Sequence, residues 1–310
     1  MKEHRLSLER IETAARTIDP VFLNTPQFES ESLSDELGMR LVLKVEIVNP
    51  IRSFKGRGTD FLVSNLPADS PTLVCASAGN FGQGLAYAAR KRGLPVVIFA
   101  AETANALKLD RMRKLGAEVR LVGRDFDAAK EHACSFAEKT GGCYIEDGRE
   151  PAIAEGAGSI AVELCRWKDP FDAVLFPLGN GALLAGAGRW MKAHSPATRV
   201  VAVCAAGAPS MALSLREGRV HRTETANTIA DGIAVRVPVP EALDDLEGVV
   251  DDVVLVEDSA ILEAMRSVLL RHGLFLEPAG AAGVAAAMVF RDKFRGGRVA
   301  TLLSGGNTNL

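Results

Sequence analysis

The chemistry this chain could do begins with Lys55, in the run Asn49-Pro50-Ile51-Arg52-Ser53-Phe54-Lys55-Gly56-Arg57-Gly58. The stretch before it, Leu41 to Val48, reads as a strand that Asn49-Pro50 stops. A helix opening near Ser53, with Ser53 as its N-cap, places Lys55 in the first turn. There the positive end of the helix dipole and burial beside Phe54 both favour a neutral amine. A neutral lysine is the form that condenses with an aldehyde. The same ten residues also fit an exposed basic helix start, with Arg52, Lys55 and Arg57 in water or around a phosphate. The stretch by itself leaves both readings open.

Three further loops share one grammar, an apolar strand that ends in small residues. Thr72 to Ala76 leads into Ser77-Ala78-Gly79-Asn80-Phe81-Gly82-Gln83-Gly84, and Ala173 to Pro177 into Leu178-Gly179-Asn180-Gly181-Ala182-Leu183. Arg298 to Leu303 delivers Ser304-Gly305-Gly306-Asn307. In parallel α/β sheets ligands collect at the carboxyl ends of strands. The loop at Gly179 opens a helix, so its amides could hold a phosphate; no lysine follows in the P-loop pattern, which favours a monophosphate over a triphosphate. Gly156-Ala157-Gly158-Ser159-Ile160-Ala161 satisfies a dinucleotide G-x-G-x-x-A expression, but it lies within a helical stretch with no strand before it and is set aside.

The elements that must position these loops alternate along the 310 residues. Ser7 to Thr17 and Ser32 to Leu37 have helical spacing, the second closed by Gly38. From Thr72 onward strands and helices follow one another through short connections. This order predicts an α/β protein of two lobes, each an open, mostly parallel sheet flanked by helices. Pro67 marks a lobe boundary. The expected division is a large domain of residues 1–67 and 146–310 and a small mobile domain of residues 68–145.

A net charge of −3 with scattered Lys and Arg leaves no footprint for nucleic acid or an anionic membrane. No apolar run reaches membrane-spanning length, and Met1-Lys2-Glu3-His4-Arg5 carries charges with no signal core behind it, so a cytoplasmic protein is expected. Five cysteines form no C-x-x-C pair and are expected to be reduced and mostly buried; five histidines are isolated, and no metal spacing appears.

Taken together, Ser53-Phe54-Lys55, Ser77-Ala78-Gly79-Asn80, the Gly179 loop, Ile229-Ala230-Asp231-Gly232-Ile233-Ala234-Val235, Glu277-Pro278-Ala279-Gly280-Ala281 and Leu303-Ser304-Gly305-Gly306-Asn307 resemble the threonine dehydratase-like branch of the fold type II pyridoxal phosphate enzymes. The resemblance covers nearly the whole chain and keeps the motif order. It implies pyridoxal 5′-phosphate between the two lobes, a homodimer or larger homo-oligomer, and an amino acid as substrate. It further implies that Lys55 holds the cofactor and takes the Cα proton, that Phe54 packs on the ring, and that Asn80 bonds the ring hydroxyl. Gly179, Asn180, Gly181, Ala182 and Leu183 would bind the phosphate, Ser304 would face the ring nitrogen, and Ser77, Ala78, Gly79 and Asn80 would take the substrate carboxylate.

Departures from the family pattern narrow its implications. Ala78 stands where related racemases carry a serine acid/base, which argues against racemisation. Ala205 and Ala206 stand where dehydratases of this branch show acidic residues, so no metal site is expected. Phe81 replaces a histidine and Arg52 a glycine; both are candidates for substrate specificity, Arg52 through a second carboxylate or phosphate. Glu146, Asp147 and Glu155 could meet an amino leaving group but more often such residues are solvated. The function implied is elimination of the β-substituent of a small hydroxy amino acid, threonine or serine, to a 2-oxo acid and ammonia. The alternatives are β-replacement as in amino acid synthases of this fold, elimination from another β-substituted amino acid, and a cofactor-binding protein without turnover.

Overall fold

The computed structural model describes residues 4–308, so Met1 to Glu3, at the charged start noted above, lie outside the described residues. The strands are β1 (Gln27–Glu29), β2 (Arg40–Val45), β3 (Leu73–Ala76), β4 (Val96–Ala100), β5 (Glu118–Leu121), β6 (Cys143–Tyr144), β7 (Ala173–Pro177), β8 (Arg199–Ala205), β9 (Asp252–Val256) and β10 (Arg298–Leu303). The helices are α1 (Leu8–Thr17), α2 (Glu31–Leu37), α3 (Lys55–Ser64), α4 (Asn80–Arg92), α5 (Ala106–Lys114), α6 (Phe126–Thr140), α7 (Pro151–Leu164), α8 (Ala182–His194), α9 (Ser210–Glu217), α10 (Pro240–Leu246), α11 (Asp258–His272), α12 (Pro278–Val289) and α13 (Arg291–Phe294).

Two sheets organise them. One has the order β1-β2-β10-β7-β8-β9, with β1 antiparallel to β2 and every other pair parallel. The other, β5-β4-β3-β6, is parallel throughout. Strands β3 and β7 are buried at every position, which a parallel strand covered by helices on both faces requires. The segments that follow β2, β7 and β10 in the first sheet, and β3 and β6 in the second, line one cavity. No helix among the described residues is long and apolar enough to cross a membrane.

Helix α3 carries Lys55 and is enclosed along Gly56 to Val63. It touches α7 at backbone distance: a Cβ on Gly58 would lie 2.5 Å from the Ile153 carbonyl, and one on Gly156 would lie 2.7 Å from Gly58 Cα. The glycines that imitate a dinucleotide motif therefore serve helix packing.

Two readings of this region need correction. Arg57 is not part of an exposed basic helix start; it is fully buried. Its guanidinium bonds both Glu46 oxygens at 2.9 Å, both Glu163 oxygens at 2.7 and 3.0 Å, Ser159 Oγ at 3.0 Å and Thr25 Oγ1 at 3.2 Å. Lys44, also buried, joins at 2.5 Å from Glu163. Glu155 is likewise not solvated but buried, accepting from Ser7 N and Arg10 Nε at the start of α1. In both cases a group of opposite charge from another element supplies the partner that a buried charge needs.

Burial alone would raise the Glu163 carboxyl, but the hydrogen bonds and charges of Arg57 and Lys44 outweigh it and hold the group at about 2. Its folded pKa lies below its ordinary 4.5, so this contribution is present above about pH 4.5 and is lost as pH falls toward 2. Glu163→Gln leaves two buried cations short of a counter-charge and is expected to lower stability by about 3–5 kcal/mol in urea unfolding at pH 7. The wild type should also lose more stability than the variant between pH 5 and pH 3. Equal stabilities, or parallel pH profiles, would contradict the role given to this cluster.

Candidate active site

The chain after β2 is shaped by Asn49, whose side chain is used at both ends. Its Nδ2 donates to the carbonyls of Glu46 and Ser53 at 2.8 and 3.1 Å, and its Oδ1 accepts from the amides of Ile51 and Ser53 at 3.2 and 3.3 Å. This closes a tight loop in which Arg52 takes a left-handed φ of 51°, a conformation that favours glycine. Beyond it Ser53 Oγ and Phe54 N both donate to the Ser304 carbonyl, at 3.2 and 3.1 Å, so the lysine segment is stapled to the end of β10. Ser53 is thus not the N-cap residue. α3 begins at Lys55 itself, Phe54 occupies the cap position, and Ser53 Oγ makes only a long contact of 3.4 Å with Lys55 N.

Between the two sheets lies a cavity of about 470 Å³. Its wall includes Phe54, Lys55, Ser77, Ala78, Gly79, Asn80, Phe81, Gly179, Asn180, Gly181, Ala182, Leu183 and Ser304, every residue expected there except Arg52. Arg52 lies outside this wall. Its guanidinium passes Gly306, where an added Cβ would be 3.4 Å from Nη2, and it faces Arg111, whose own guanidinium reaches Asn307. A role for Arg52 in contacting a second anionic group of a bound substrate is therefore not supported by its position.

The Lys55 amine enters the cavity 2.6 Å from Asp147 Oδ2 and 4.8 Å from the Phe54 ring centroid. Ser77 Oγ accepts from Gly79 N and Gly82 N at 3.2 and 2.9 Å, which orders the entry to α4. A Cβ on Gly79 would meet nothing within 4 Å, so the backbone there borders open space. At the far wall Gly181, with φ of 95°, turns the chain into α8 and presents the amides of its first turn. A side chain on Gly179 would strike the Gly232 carbonyl at 2.8 Å.

Asn80 is held on both sides, donating to Glu277 Oε1 at 2.5 Å and accepting from Asn307 Nδ2 at 2.8 Å. Burial pushes the Glu277 carboxyl up to about 7; Asp231 adds to the rise, while Lys108 and the hydrogen bonds from Asn80 and Asn307 oppose it. Lys108, on α5, is 2.5 Å from Asp231 and 4.0 Å from Glu277. The rim carries two more ion pairs, Arg236 with Asp127 and Lys130 with Glu146. Lys108 and Glu277 were not singled out as functional in the sequence, and Asp147, named there only as a possible contact for an amino leaving group and more often solvated, is buried beside Lys55. For Glu277 the motif that contains it was a signal; Lys108 sits in an ordinary helical stretch and gave none.

The family described as pyridoxal-phosphate dependent enzyme matches residues 18–305. The L-threonine ammonia-lyase of Thermotoga maritima is 36% identical over 307 residues, 98% of this chain and 76% of that protein. Among solved structures, the T.th. threonine deaminase superposes with a TM-score of 0.92 at 34% identity, covering 98% of this chain and 99% of the other. Maize serine racemase gives 0.93 at 28% identity, with 98% and 94% covered.

The residues present fit the cofactor. An accessible primary amine, a helix N-terminus free of side chains at Gly181, open space against Gly79, a paired amide on Asn80 and a neutral hydroxyl on Ser304 are what its aldehyde, phosphate and ring would meet. Glu277 changes charge near pH 7 while bonded to Asn80, being neutral below and a carboxylate above. The visible absorption of protein loaded with pyridoxal phosphate is expected to shift with a midpoint near 7, and Glu277→Gln is expected to remove that transition. A transition that persists unchanged in the variant would show that another group titrates.

Proposed function

The chain belongs to the pyridoxal-phosphate-dependent enzymes, and from that premise we propose that it is an ammonia-lyase acting on a small β-hydroxy amino acid of the threonine or serine type. The observation that carries this reading is the convergence on one cavity of the Lys55 amine, the Gly181 helix start and Ser304, which follow β2, β7 and β10 of the six-stranded sheet, with the Ser77–Asn80 loop that follows β3 of the other sheet. The two relatives named for threonine, one an ammonia-lyase and one a deaminase, support it further.

When bound, pyridoxal phosphate supplies an electron sink for the pair left as the Cα–H bond breaks. Lys55 would hold the cofactor through its amine and would take the Cα proton on Nζ. The amides of Gly181, Ala182 and Leu183 hold the phosphate at the start of α8. Ser77 Oγ, already committed as acceptor to two amides, keeps its proton to donate to a substrate carboxylate, and Gly79 and Asn80 supply the adjoining backbone. Asn80, fixed by Glu277 and Asn307, orients the ring. Ser304 would offer the ring nitrogen a neutral hydroxyl rather than a carboxylate, which would favour prompt loss of a β-substituent. Ala78 presents a methyl group where a second acid or base would be needed to return the proton from the opposite face.

We take residues 68–145 as a small domain that moves against residues 1–67 and 146–310. The assembly we take to be a homodimer, on the resemblance and on the exposed Leu262, Leu269 and Leu270 of α11. Sedimentation as a monomer at micromolar concentration would contradict the dimer.

Protein loaded with pyridoxal phosphate is expected to release ammonia and a 2-oxo acid in equal amounts from L-threonine or L-serine, and Lys55→Ala to lose at least about a thousandfold in kcat/KM. Absence of product from both amino acids, with cofactor bound, would contradict the reading.

A further inference from the structure

Asp147 is the carboxylate nearest the chemistry, and it is only half satisfied. It follows β6, at the carboxyl end of the four-stranded sheet, and lines the cavity. Its Oδ2 lies 2.6 Å from Lys55 Nζ, whereas its Oδ1 is buried with no hydrogen-bond partner among the described residues. The residue as a whole is 9% exposed. A buried acceptor left unmatched costs about 1–3 kcal/mol, so an oxygen kept in this condition on a cavity wall is suited to a donor that arrives with the ligand.

The other acidic groups of the wall are differently engaged: Asp125 caps α6, its Oδ1 accepting from Ala128 N. Glu146 faces Lys130, Asp127 faces Arg236, Asp231 faces Lys108, and Glu277 accepts from Asn80 and Asn307. Asp147 is the carboxylate that touches the Lys55 amine directly. This matters because a β-hydroxyl is a poor leaving group until it receives a proton, whereas Lys55 has just acquired one from Cα.

We propose that Asp147 is the general acid of the elimination, relaying to the departing β-hydroxyl the proton that Lys55 takes from Cα. The inference rests on the β-hydroxy amino acid reading above. The Cα–H bond breaks, and its electron pair becomes the Cα–Cβ π bond as the Cβ–O bond breaks. The Lys55 ammonium passes its proton to Asp147 through the 2.6 Å contact, and the oxygen, leaving with that second pair, takes this proton from Asp147. The Cα proton ends on water, Lys55 is again neutral and Asp147 again a carboxylate. No outside acid, base or oxidant enters the balance.

The test compares leaving groups that differ in their need for a proton. Wild type, Asp147→Asn and Asp147→Glu, each loaded with pyridoxal phosphate, are assayed with L-serine and with β-chloro-L-alanine, whose chloride departs unprotonated. Cofactor occupancy is read independently from the visible band and from the thermal shift on adding pyridoxal phosphate. The relay predicts that Asp147→Asn lowers the ratio of serine to chloroalanine turnover by about a hundredfold or more, mainly in kcat, with both occupancy readouts retained. Asp147→Glu should recover part of that ratio. A ratio equal to that of wild type, whatever the absolute rates, would overturn the relay and leave elimination standing.

Should Asp147→Asn fail to fold or load, wild type alone decides. A larger solvent deuterium effect on kcat for L-serine than for chloroalanine supports the relay, and equal effects overturn it. Wild type that eliminates chloride but turns over neither L-serine nor L-threonine would overturn the β-hydroxy reading and the relay with it.

Discussion

Arg57 sets the constraint on which the site depends. A guanidinium cannot shed its proton in a protein, and this one has no exposed surface, so α3 can sit only where Glu46 and Glu163 meet it. Glu46 lies just beyond β2 and Glu163 in the last turn of α7, while Thr25 and Ser159 complete the ring. Two residues upstream on the same helix is Lys55. The buried cluster therefore acts as a register pin: it ties the large sheet, α7 and α3 together from behind, while the Ser304 carbonyl ties the front of the segment to β10. Between these two anchors the amine has little freedom except along its own side chain.

The cavity is closed by polar contacts that run between the two sheets' portions of the chain. Lys108 with Asp231, Asn80 with Glu277 and Asp127 with Arg236 each join a residue of the four-stranded part to one of the six-stranded part. Their burial differs. Asp231 is more than half exposed, so its pair with Lys108 is screened and contributes little, whereas Asn80 and Glu277 meet away from water where an unmade bond is costly. An arrangement of this kind holds the wall in place without fusing the two parts, and it puts its more buried contact on the inner wall of the cavity rather than at the rim.

The parts of this site that were legible in the sequence are those encoded within one strand-to-loop segment. Gly179 to Leu183, Ser77 to Asn80 and Ser304 could be read because glycine-rich turns at strand ends announce where backbone must approach a ligand. The fold class followed from the same alternation of strands and helices. What escaped were pairings made across the fold. Arg57 stands in a run with Arg52 and Lys55 that looks like a solvated helix start, and nothing local reveals that Glu46 and Glu163 await it. Glu155 was similarly read as solvated, although Arg10 and the Ser7 amide enclose it. Lys108 and Asp147 acquire meaning only from Asp231 and Lys55, each remote from its partner in the chain. Arg52, conspicuous as a substitution, occupies a left-handed turn of the Asn49 loop that would suit glycine, and its side chain is not among those that line the cavity.

The central claim is that one lysine, pinned by the buried cluster and aimed between the sheets, forms the covalent link to pyridoxal phosphate. Borohydride reduction of the loaded protein, followed by proteolysis and peptide mass mapping, tests it most directly. The account predicts a pyridoxyl phosphate mass on the peptide containing Lys55 and on no other. A modified Lys108 or Lys130, which also line the cavity, or an unmodified Lys55 in protein that has bound the cofactor, would contradict it.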